Sequence, residues 1–206
     1  MRGIKLAMGQ MEVEPGNSEK NLSRAVTFIK EAARKKCDLI VLPETLDLGW
    51  TYPNSYESAQ TIPGEYSNLL CKVAKDQTIY IAAGLTEKNG ERLYNSAILI
   101  NQHGEIIYKH RKINELSIAT HLYTTGESLG IVSTSFGKVG LNICADISPA
   151  SVYIGHAQAL MGADLIISPS AWAVEQNYDN HKEPYGDMWI ESYTELATTH
   201  KLLLLE

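Results

Sequence analysis

The sequence predicts an α/β fold with mixed sheets and flanking helices, and three observations lead to that class. Short apolar runs typical of strands alternate with longer segments of helical periodicity along the chain. Two pairs of β-rich runs surround polar turns that contain glycine, which is typical of β-hairpins. Hairpins give antiparallel strands and crossover helices give parallel ones. The mixture therefore favours a layered α/β sandwich over a purely parallel sheet.

The first part of the chain predicts a strand, a helix and a second strand. The run IKLAMGQ opens as a strand. Apolar side chains recur at three- and four-residue steps over residues 17–36, which predicts an amphipathic helix with Asn17 or Ser18 as its N-cap. The run CDLIVLPE predicts a buried strand that Pro43 ends, and an irregular loop rich in glycine and aromatic residues follows at 49–56.

The remaining elements follow the same alternation. A second helix is expected over residues 66–75, and TIYIAAGL predicts the next strand. Hairpins are predicted in LYNSAILINQHGEIIYKHRK and in LGIVSTSFGKVGLNIC, the second turning near 136–138. A helix in SVYIGHAQALMGA, a strand in DLIISPSAW and a helix over 184–200 that leads into KLLLL complete the series. No repeat or linker is evident, so we expect one domain over residues 1–206.

Composition excludes several classes of function. The chain has 206 residues, a net charge of −6 and a pI near 5.5, which argues against nucleic-acid partners. No apolar run is long enough to span a membrane and no signal peptide is evident, so a cytoplasmic location is expected. The spacing of Cys37, Cys71 and Cys144 fits neither a disulfide framework nor a zinc site. We therefore expect no metal and no cofactor.

Three predicted strands end beside a residue that could carry chemistry, namely Glu44, Lys112 and Cys144. Each has an ordinary alternative: a carboxylate in a turn, a solvated lysine and a core cysteine. If they converge, they form an acyl-transfer site. Glu44 would act as general base and Cys144 as nucleophile. A helix N-terminus with a nearby cation would lower the pKa of the Cys144 thiol and so favour the thiolate. Lys112 and the backbone N–H of Ala145 would stabilise the oxyanion.

Three segments resemble the nitrilase superfamily, whose carbon–nitrogen hydrolases use a Glu-Lys-Cys triad. They are NLSRAVTFIKEAARKKCDLIVLPET, YNSAILINQHGEIIYKHRKIN and GKVGLNICADISPASVYIGHAQALMGADLIISPSAW, and they occur in the family's order. The resemblance implies one half of a four-layer αββα sandwich, with Glu44, Lys112 and Cys144 as the triad. Asp146 matches an acidic position that we assign to shaping the nucleophile elbow. A homodimer or higher homo-oligomer is also implied.

Two features depart from the family's pattern. Many members carry a second glutamate beyond the lysine, where this chain has Thr120 and His121. His121, Glu115 or Glu127 could take that place, and the sequence leaves the choice open. Family chains also continue past the segment that resembles YTELATTHKLLLL. We therefore expect this domain to lack the family's C-terminal strands and tail.

The resemblance implies hydrolysis of a small linear amide or carbamoyl compound through a cysteine thioester. Ala145 stands where the true nitrilases have tryptophan, which favours amide over nitrile substrates. The candidate pocket residues are Trp50, Tyr52, His121 and Trp172, and the aromatic ones could equally belong to the core. Two other functions stay open: a catalytically silent binding or assembly module, and a glutaminase-type module that passes ammonia to a synthetase.

Overall fold

The computed structural model describes residues 3–205, and the fold below refers to that range. Its strands are β1 (Leu6–Met8), β2 (Leu39–Val41), β3 (Tyr80–Asn89), β4 (Arg92–Ile100), β5 (Ile106–Arg111), β6 (Ile131–Thr134), β7 (Gly137–Leu141), β8 (Leu165–Ile167) and β9 (Leu203–Leu205). Its α-helices are α1 (Ser18–Arg34), α2 (Ser55–Ser58), α3 (Glu65–Gln77), α4 (Tyr153–Leu160) and α5 (Asp187–His200).

Within this range the strands form two mixed sheets. The first has five strands in the order β1-β2-β3-β4-β5, with β1, β2 and β3 parallel and the pairs β3–β4 and β4–β5 antiparallel. The second has the order β6-β7-β8-β9, with β6–β7 antiparallel and the other two pairs parallel. The predicted class, mixed sheets with flanking helices, is confirmed.

The alternation of side chains along each strand builds the layers. In β2, Leu39 and Val41 enter the core that the two sheets share, whereas Ile40 packs against α1 and α3 on the outer face. In β8, Ile166 faces outward and packs with Leu196 of α5. The order of layers is therefore helix, sheet, sheet, helix, and strands β2 and β8 are buried on both faces.

Helix α1 illustrates how the sequence specifies an outer layer. Its buried apolar side chains are spaced three or four residues apart, which is one face of a helix, and they are Leu22, Ala25, Ile29 and Ala32. The Asn17 side chain accepts a hydrogen bond from the backbone N–H of Lys20 at 3.3 Å, so Asn17 is the N-cap. Both features agree with the sequence prediction.

Some predicted element boundaries differ from the structure. The strand expected in DLIISPSAW ends at Ile167, because the chain then leaves the sheet to form the wall of a cavity. The strand expected to reach Cys144 ends at Leu141. Helix α2 lies partly in the loop predicted at 49–56, and β3 continues into a hairpin with β4 that the sequence analysis did not predict. In the described residues, no helix has the length and apolar character needed to cross a bilayer.

Candidate active site

Three chain segments that leave the sheets converge on one buried cavity. Glu44 lies shortly after β2, Lys112 directly follows β5, and Cys144 lies shortly after β7. Strands β2 and β5 run in the same direction, since two antiparallel steps separate β5 from β3. The side chains of Glu44, Lys112 and Cys144 are at most 2% exposed, and all three line a cavity of about 150 Å³.

The Glu44 carboxylate accepts hydrogen bonds from three donors. Its Oε1 accepts hydrogen bonds from Lys112 Nζ at 2.6 Å and from Asn95 Nδ2 at 2.6 Å. Its Oε2 accepts from the backbone N–H of Ala171 at 3.1 Å. A buried carboxylate needs such partners to remain charged. The three contacts therefore fix the position of the Glu44 carboxyl group at the cavity wall.

Lys112 remains an ammonium despite its burial. Burial by itself lowers the pKa of this amine, but attraction to Glu44, Cys144 and Glu115 outweighs that effect and raises the pKa above its ordinary value. The Lys112 nitrogen also lies 5.9 Å from the ring centroid of Trp50. A fixed positive charge is thus available in a site from which bulk water is largely excluded.

Cys144 occupies a sharp corner of the backbone. Its φ is +43°, in the left-handed region that residues other than glycine seldom adopt. A four-residue 3₁₀ turn, Cys144–Ile147, follows, and α4 begins only at Tyr153. The helix that begins at the thiol is therefore this short 3₁₀ turn, and the α-helix predicted in SVYIGHAQALMGA starts nine residues later. Lys112 is the positive group that acts on Cys144.

Asp146 connects the cysteine corner to the segment that carries the lysine. Its Oδ2 accepts from the backbone N–H of Ile143 at 3.1 Å and contacts His110 Nε2 at 2.8 Å. Its Oδ1 accepts from the backbone N–H groups of Ile113 at 3.0 Å and Asn114 at 2.8 Å. One buried carboxylate thereby fixes the spacing between residues 110–114 and the corner.

Asn114 adds a second connection between the same two segments. Its Nδ2 donates to the carbonyl of Ala145 at 2.7 Å and to Ser151 Oγ at 3.0 Å. The Ser151 hydroxyl also donates to the Ala145 carbonyl. The peptide group that follows Ala145 is therefore held from two sides, which restrains the backbone immediately after the cysteine.

The structure separates the candidate pocket residues into two groups. Trp50 and Trp172 line the cavity with the three triad candidates. Tyr52 instead packs in a neighbouring apolar cluster around Leu48, and His121 is exposed and is not among the lining residues. Lining residues that the sequence analysis did not select are Leu116, Ala171 and Ala173.

The cavity adjoins an open groove of about 950 Å³. The two share the residues Glu44, Trp50, Ala171, Trp172 and Ala173. Much of the groove wall is aromatic or aliphatic, and its aromatic members beyond the shared ones are Tyr185, Trp189 and Tyr193. Trp172 and Trp189 meet edge to face with ring centroids 5.3 Å apart. A molecule in the cavity therefore has an apolar route to solvent.

Among the three residues considered for the second carboxylate position, Glu115 alone has its polar group in the interior. Both Glu115 oxygens are buried, and neither has a hydrogen-bond partner in residues 3–205. Burial raises the pKa of this carboxyl to about 8, with Lys112 opposing the shift and Glu44 and Asp146 adding to it. Glu127 and His121 are exposed.

Sequence reasoning missed Asn95 and His110, which contact Glu44 and Asp146. Asn95 is an amide within a strand whose other residues are mostly apolar, and a buried amide requires a partner. His110 lies in the basic run Lys109-His110-Arg111-Lys112 and was not selected as a candidate. The alternation of β5 directs it inward, where it is fully buried, while Lys109 and Arg111 pair with Glu87. These two signals could have identified both residues.

Comparison with known proteins finds a matching family and related sequences. The profile of the family described as carbon-nitrogen hydrolase matches residues 5–189. A nitrilase from Pyrococcus abyssi is 38% identical over 173 residues, which are 81% of this chain and 64% of the relative. The omega-amidase NIT2-A of Xenopus laevis is 35% identical over 184 residues, covering 84% of this chain and 65% of the relative.

A solved structure shares the fold. The crystal structure of a carbon-nitrogen hydrolase from Helicobacter pylori G27 superposes with a TM-score of 0.85 at 23% identity, and the match covers 98% of this chain and 72% of that one. The chain spans 64% and 65% of the lengths of the two curated relatives described above.

Proposed function

The chain belongs to the carbon–nitrogen hydrolase family, and on that premise we propose that it hydrolyses a small linear amide or carbamoyl compound through a thioester on Cys144. The observation that carries the proposal is the ion pair between Glu44 and Lys112 at 2.6 Å beside Cys144 in one cavity. A base, a cation and a thiol in a water-poor cavity are the parts that acyl transfer requires.

The first half of the proposed reaction forms the thioester. Glu44 takes the proton of the Cys144 thiol, and the sulfur attacks the amide carbonyl carbon. A carbon–sulfur bond forms as the carbonyl π electrons move to oxygen. Lys112 and the backbone N–H of Ala145 donate hydrogen bonds to that oxyanion. The intermediate then collapses, the carbon–nitrogen bond breaks, and the nitrogen leaves as ammonia or an amine with the proton from Glu44.

The second half releases the acid. Glu44, again a carboxylate, takes a proton from a water molecule that attacks the thioester carbonyl. The carbon–sulfur bond breaks, the acid departs, and the proton returns to the sulfur of Cys144. The three donors on Glu44 support this double use, because they keep the carboxylate oriented through both steps.

The relatives suggest two substrate classes, since their names are nitrilase and omega-amidase. Ala145 stands where the true nitrilases have tryptophan, so we propose amides rather than nitriles. We also propose a cytoplasmic location, because no disulfide joins the three cysteines, and a homodimer or higher homo-oligomer. Exposed apolar residues on and near α4 and α5 support self-association, and they are Tyr153, Leu160, Met161 and Ile190.

The test measures ammonia release over a panel of amides, with glutamine and a nitrile included. We expect release from at least one neutral amide, with a loss of at least about 1,000-fold in Cys144→Ser. Cys71→Ser is the matched control, since Cys71 lies on α3 and does not line the cavity. Mass spectrometry with iodoacetamide is expected to label Cys144 in the folded protein.

Other outcomes identify the competing functions. Silence over the whole panel, with an intact fold and unlabelled Cys144, would favour a binding or assembly module. Hydrolysis of glutamine alone would favour an ammonia donor. Sedimentation of the purified chain tests the proposed oligomer, and a monomer at micromolar concentration would contradict it.

A further inference from the structure

Most polar groups of the cavity wall have a partner, whereas the buried indole N–H of Trp50 has no hydrogen-bond partner among residues 3–205. Glu44 accepts from three donors, and Lys112 gives one of its protons to Glu44. The proposed reaction uses the remaining Lys112 protons, the Cys144 sulfur and the backbone after it on the amide carbonyl. The other residues that line the cavity have aliphatic or aromatic side chains, and they are Trp50, Leu116, Ala171, Trp172 and Ala173.

The size of the cavity limits what it can enclose. An apolar cavity of about 150 Å³ is known to hold a benzene molecule, so this one accommodates about six non-hydrogen atoms. A larger substrate would extend past Trp172 and Ala173 into the groove, where the walls continue as aromatic and aliphatic side chains. A substrate thus meets apolar surface both at its reacting end and beyond it.

The charges of the site disfavour an anionic substrate. Among the residues lining the cavity and the groove in the described range, Lys112 is the only one with a cationic side chain, and it is paired with Glu44. A carboxylate on the substrate would lose its hydration against indole rings without gaining a cation.

We propose that the substrate of this site is an amide whose acyl group is compact, apolar and uncharged, and not the amide of a dicarboxylic acid. This inference rests on the proposed function and specifies the substrate class of the same cavity. The proposed substrate class thus differs from that of an omega-amidase, the name that the Xenopus laevis relative carries. The apolar walls select the acyl group by burial, and the absence of a second cation among the described lining residues rejects a terminal carboxylate.

The first experiment compares three amides with the same number of non-hydrogen atoms: 4-methylpentanamide, succinamide and succinamate. We expect kcat/KM for 4-methylpentanamide to exceed that for succinamate by at least about 100-fold, with succinamide between them. Equal or better hydrolysis of succinamate would overturn the inference. Because succinamide and succinamate differ only in the terminal amide or carboxylate, their ratio isolates the effect of charge.

The second experiment adds a cation to the wall. Ala173 lines the cavity and is exposed, so Ala173→Lys can bring an ammonium to its mouth, and Ala173→Met is the uncharged control of similar length. We expect the lysine variant to raise kcat/KM for succinamate relative to 4-methylpentanamide by at least about 10-fold, and the methionine variant to leave that ratio unchanged. No change in the ratio with lysine would contradict the inference.

A labelling experiment separates failure of the inference from failure of the proposed function. The rates at which Cys144 reacts with iodoacetamide and with iodoacetate are compared, each normalised to glutathione. We expect at least about a 10-fold preference for the neutral reagent, whether or not any amide is hydrolysed. Hydrolysis of succinamate with no such preference overturns the substrate class only. The absence of hydrolysis from every amide overturns the proposed function.

Discussion

His110 Nε2 lies 2.8 Å from Asp146 Oδ2, and both side chains are fully buried. Since the backbone N–H groups of Ile113, Asn114 and Ile143 also point to this carboxylate, its oxygens act as acceptors and His110 Nε2 is the donor. The contact joins β5, which leads into Lys112, to the turn that carries Cys144. It therefore couples the positions of the two groups that would act on the substrate carbonyl.

Asp146→Asn should lower both stability and activity. An amide keeps one acceptor oxygen but presents donors where Asp146 accepted hydrogen bonds, so we expect a loss of about 3 kcal/mol in the free energy of unfolding. Urea denaturation measures it. Asp164→Asn is the control, because Asp164 makes an exposed hydrogen bond to the Lys138 backbone and should cost less than about 1 kcal/mol. Equal losses in the two variants would contradict the assignment.

Asn95→Ala should impair catalysis through Glu44. The Asn95 amide donates to Glu44 Oε1 at 2.6 Å, so its removal frees the carboxylate to move, and we expect kcat to fall by about 10- to 100-fold. In a Glu44→Gln background, the same substitution should have little further effect. Asn101→Ala is the matched control, since Asn101 follows the same strand and its amide contacts Glu105. Additive effects of Asn95→Ala and Glu44→Gln would argue against this route.

The sequence predicted the order of elements well where a single local pattern decides the structure. The periodicity of α1 and the apolar runs of β2 and β8 need no information from elsewhere in the chain. The hairpin between β3 and β4 also has a local signal that the sequence analysis did not use, the dipeptide Asn89-Gly90, and the structure places the two-residue turn at Gly90 and Glu91 because Asn89 pairs with Arg92.

The supporting contacts of the site could not be predicted from local patterns. His110 and Asp146 are 36 positions apart and Glu44 and Asn95 are 51 apart, and each pair depends on the register of strands in the sheets. The short turn after Cys144 was equally hidden. A strand followed by small residues and a proline fits either a helix start or a 3₁₀ turn, and tertiary contacts to Asp146 decide between them.

Gly84→Ala should displace Glu44, the proposed general base, because the added methyl group would push against the Glu44 backbone. A Cβ at this position would lie 2.4 Å from the Glu44 Cα and 2.7 Å from the Thr45 nitrogen, so the strand and the segment after β2 would have to separate. We expect a loss of about 1–3 kcal/mol in unfolding free energy and a fall of about 10-fold or more in kcat.

The control for this change is Gly3→Ala, because a Cβ there meets nothing within 4 Å. It should leave both quantities within error of the parent chain. Thermal unfolding and ammonia release on the same samples provide the comparison. If Gly84→Ala retained full kcat, the close approach of β3 to Glu44 would not be needed for positioning the base.

Glu115 should make the folded chain less stable as pH rises. Burial raises the pKa of its carboxyl from 4.5 to about 8, so between these values the folded state keeps a proton that the unfolded state has released. The free energy of unfolding therefore falls across pH 4.5–8 by up to about 1.4 kcal/mol per unit, and this contribution is constant above pH 8. Burial also raises the pKa of Asp47 to about 7, so Asp47 likewise lowers the free energy of unfolding as pH rises.

Glu115→Gln isolates the contribution of this residue, because Asp47 is present in both proteins and cancels from the difference. We expect the variant to gain stability over the parent between pH 5 and 8, as measured by urea denaturation at several pH values. Its kcat/KM should also keep its value above pH 8, where ionised Glu115 would otherwise oppose the oxyanion near Lys112. Exposed Glu127→Gln should change neither profile. If the stability curves of the parent and Glu115→Gln ran parallel, Glu115 would ionise in the folded chain as it does in water.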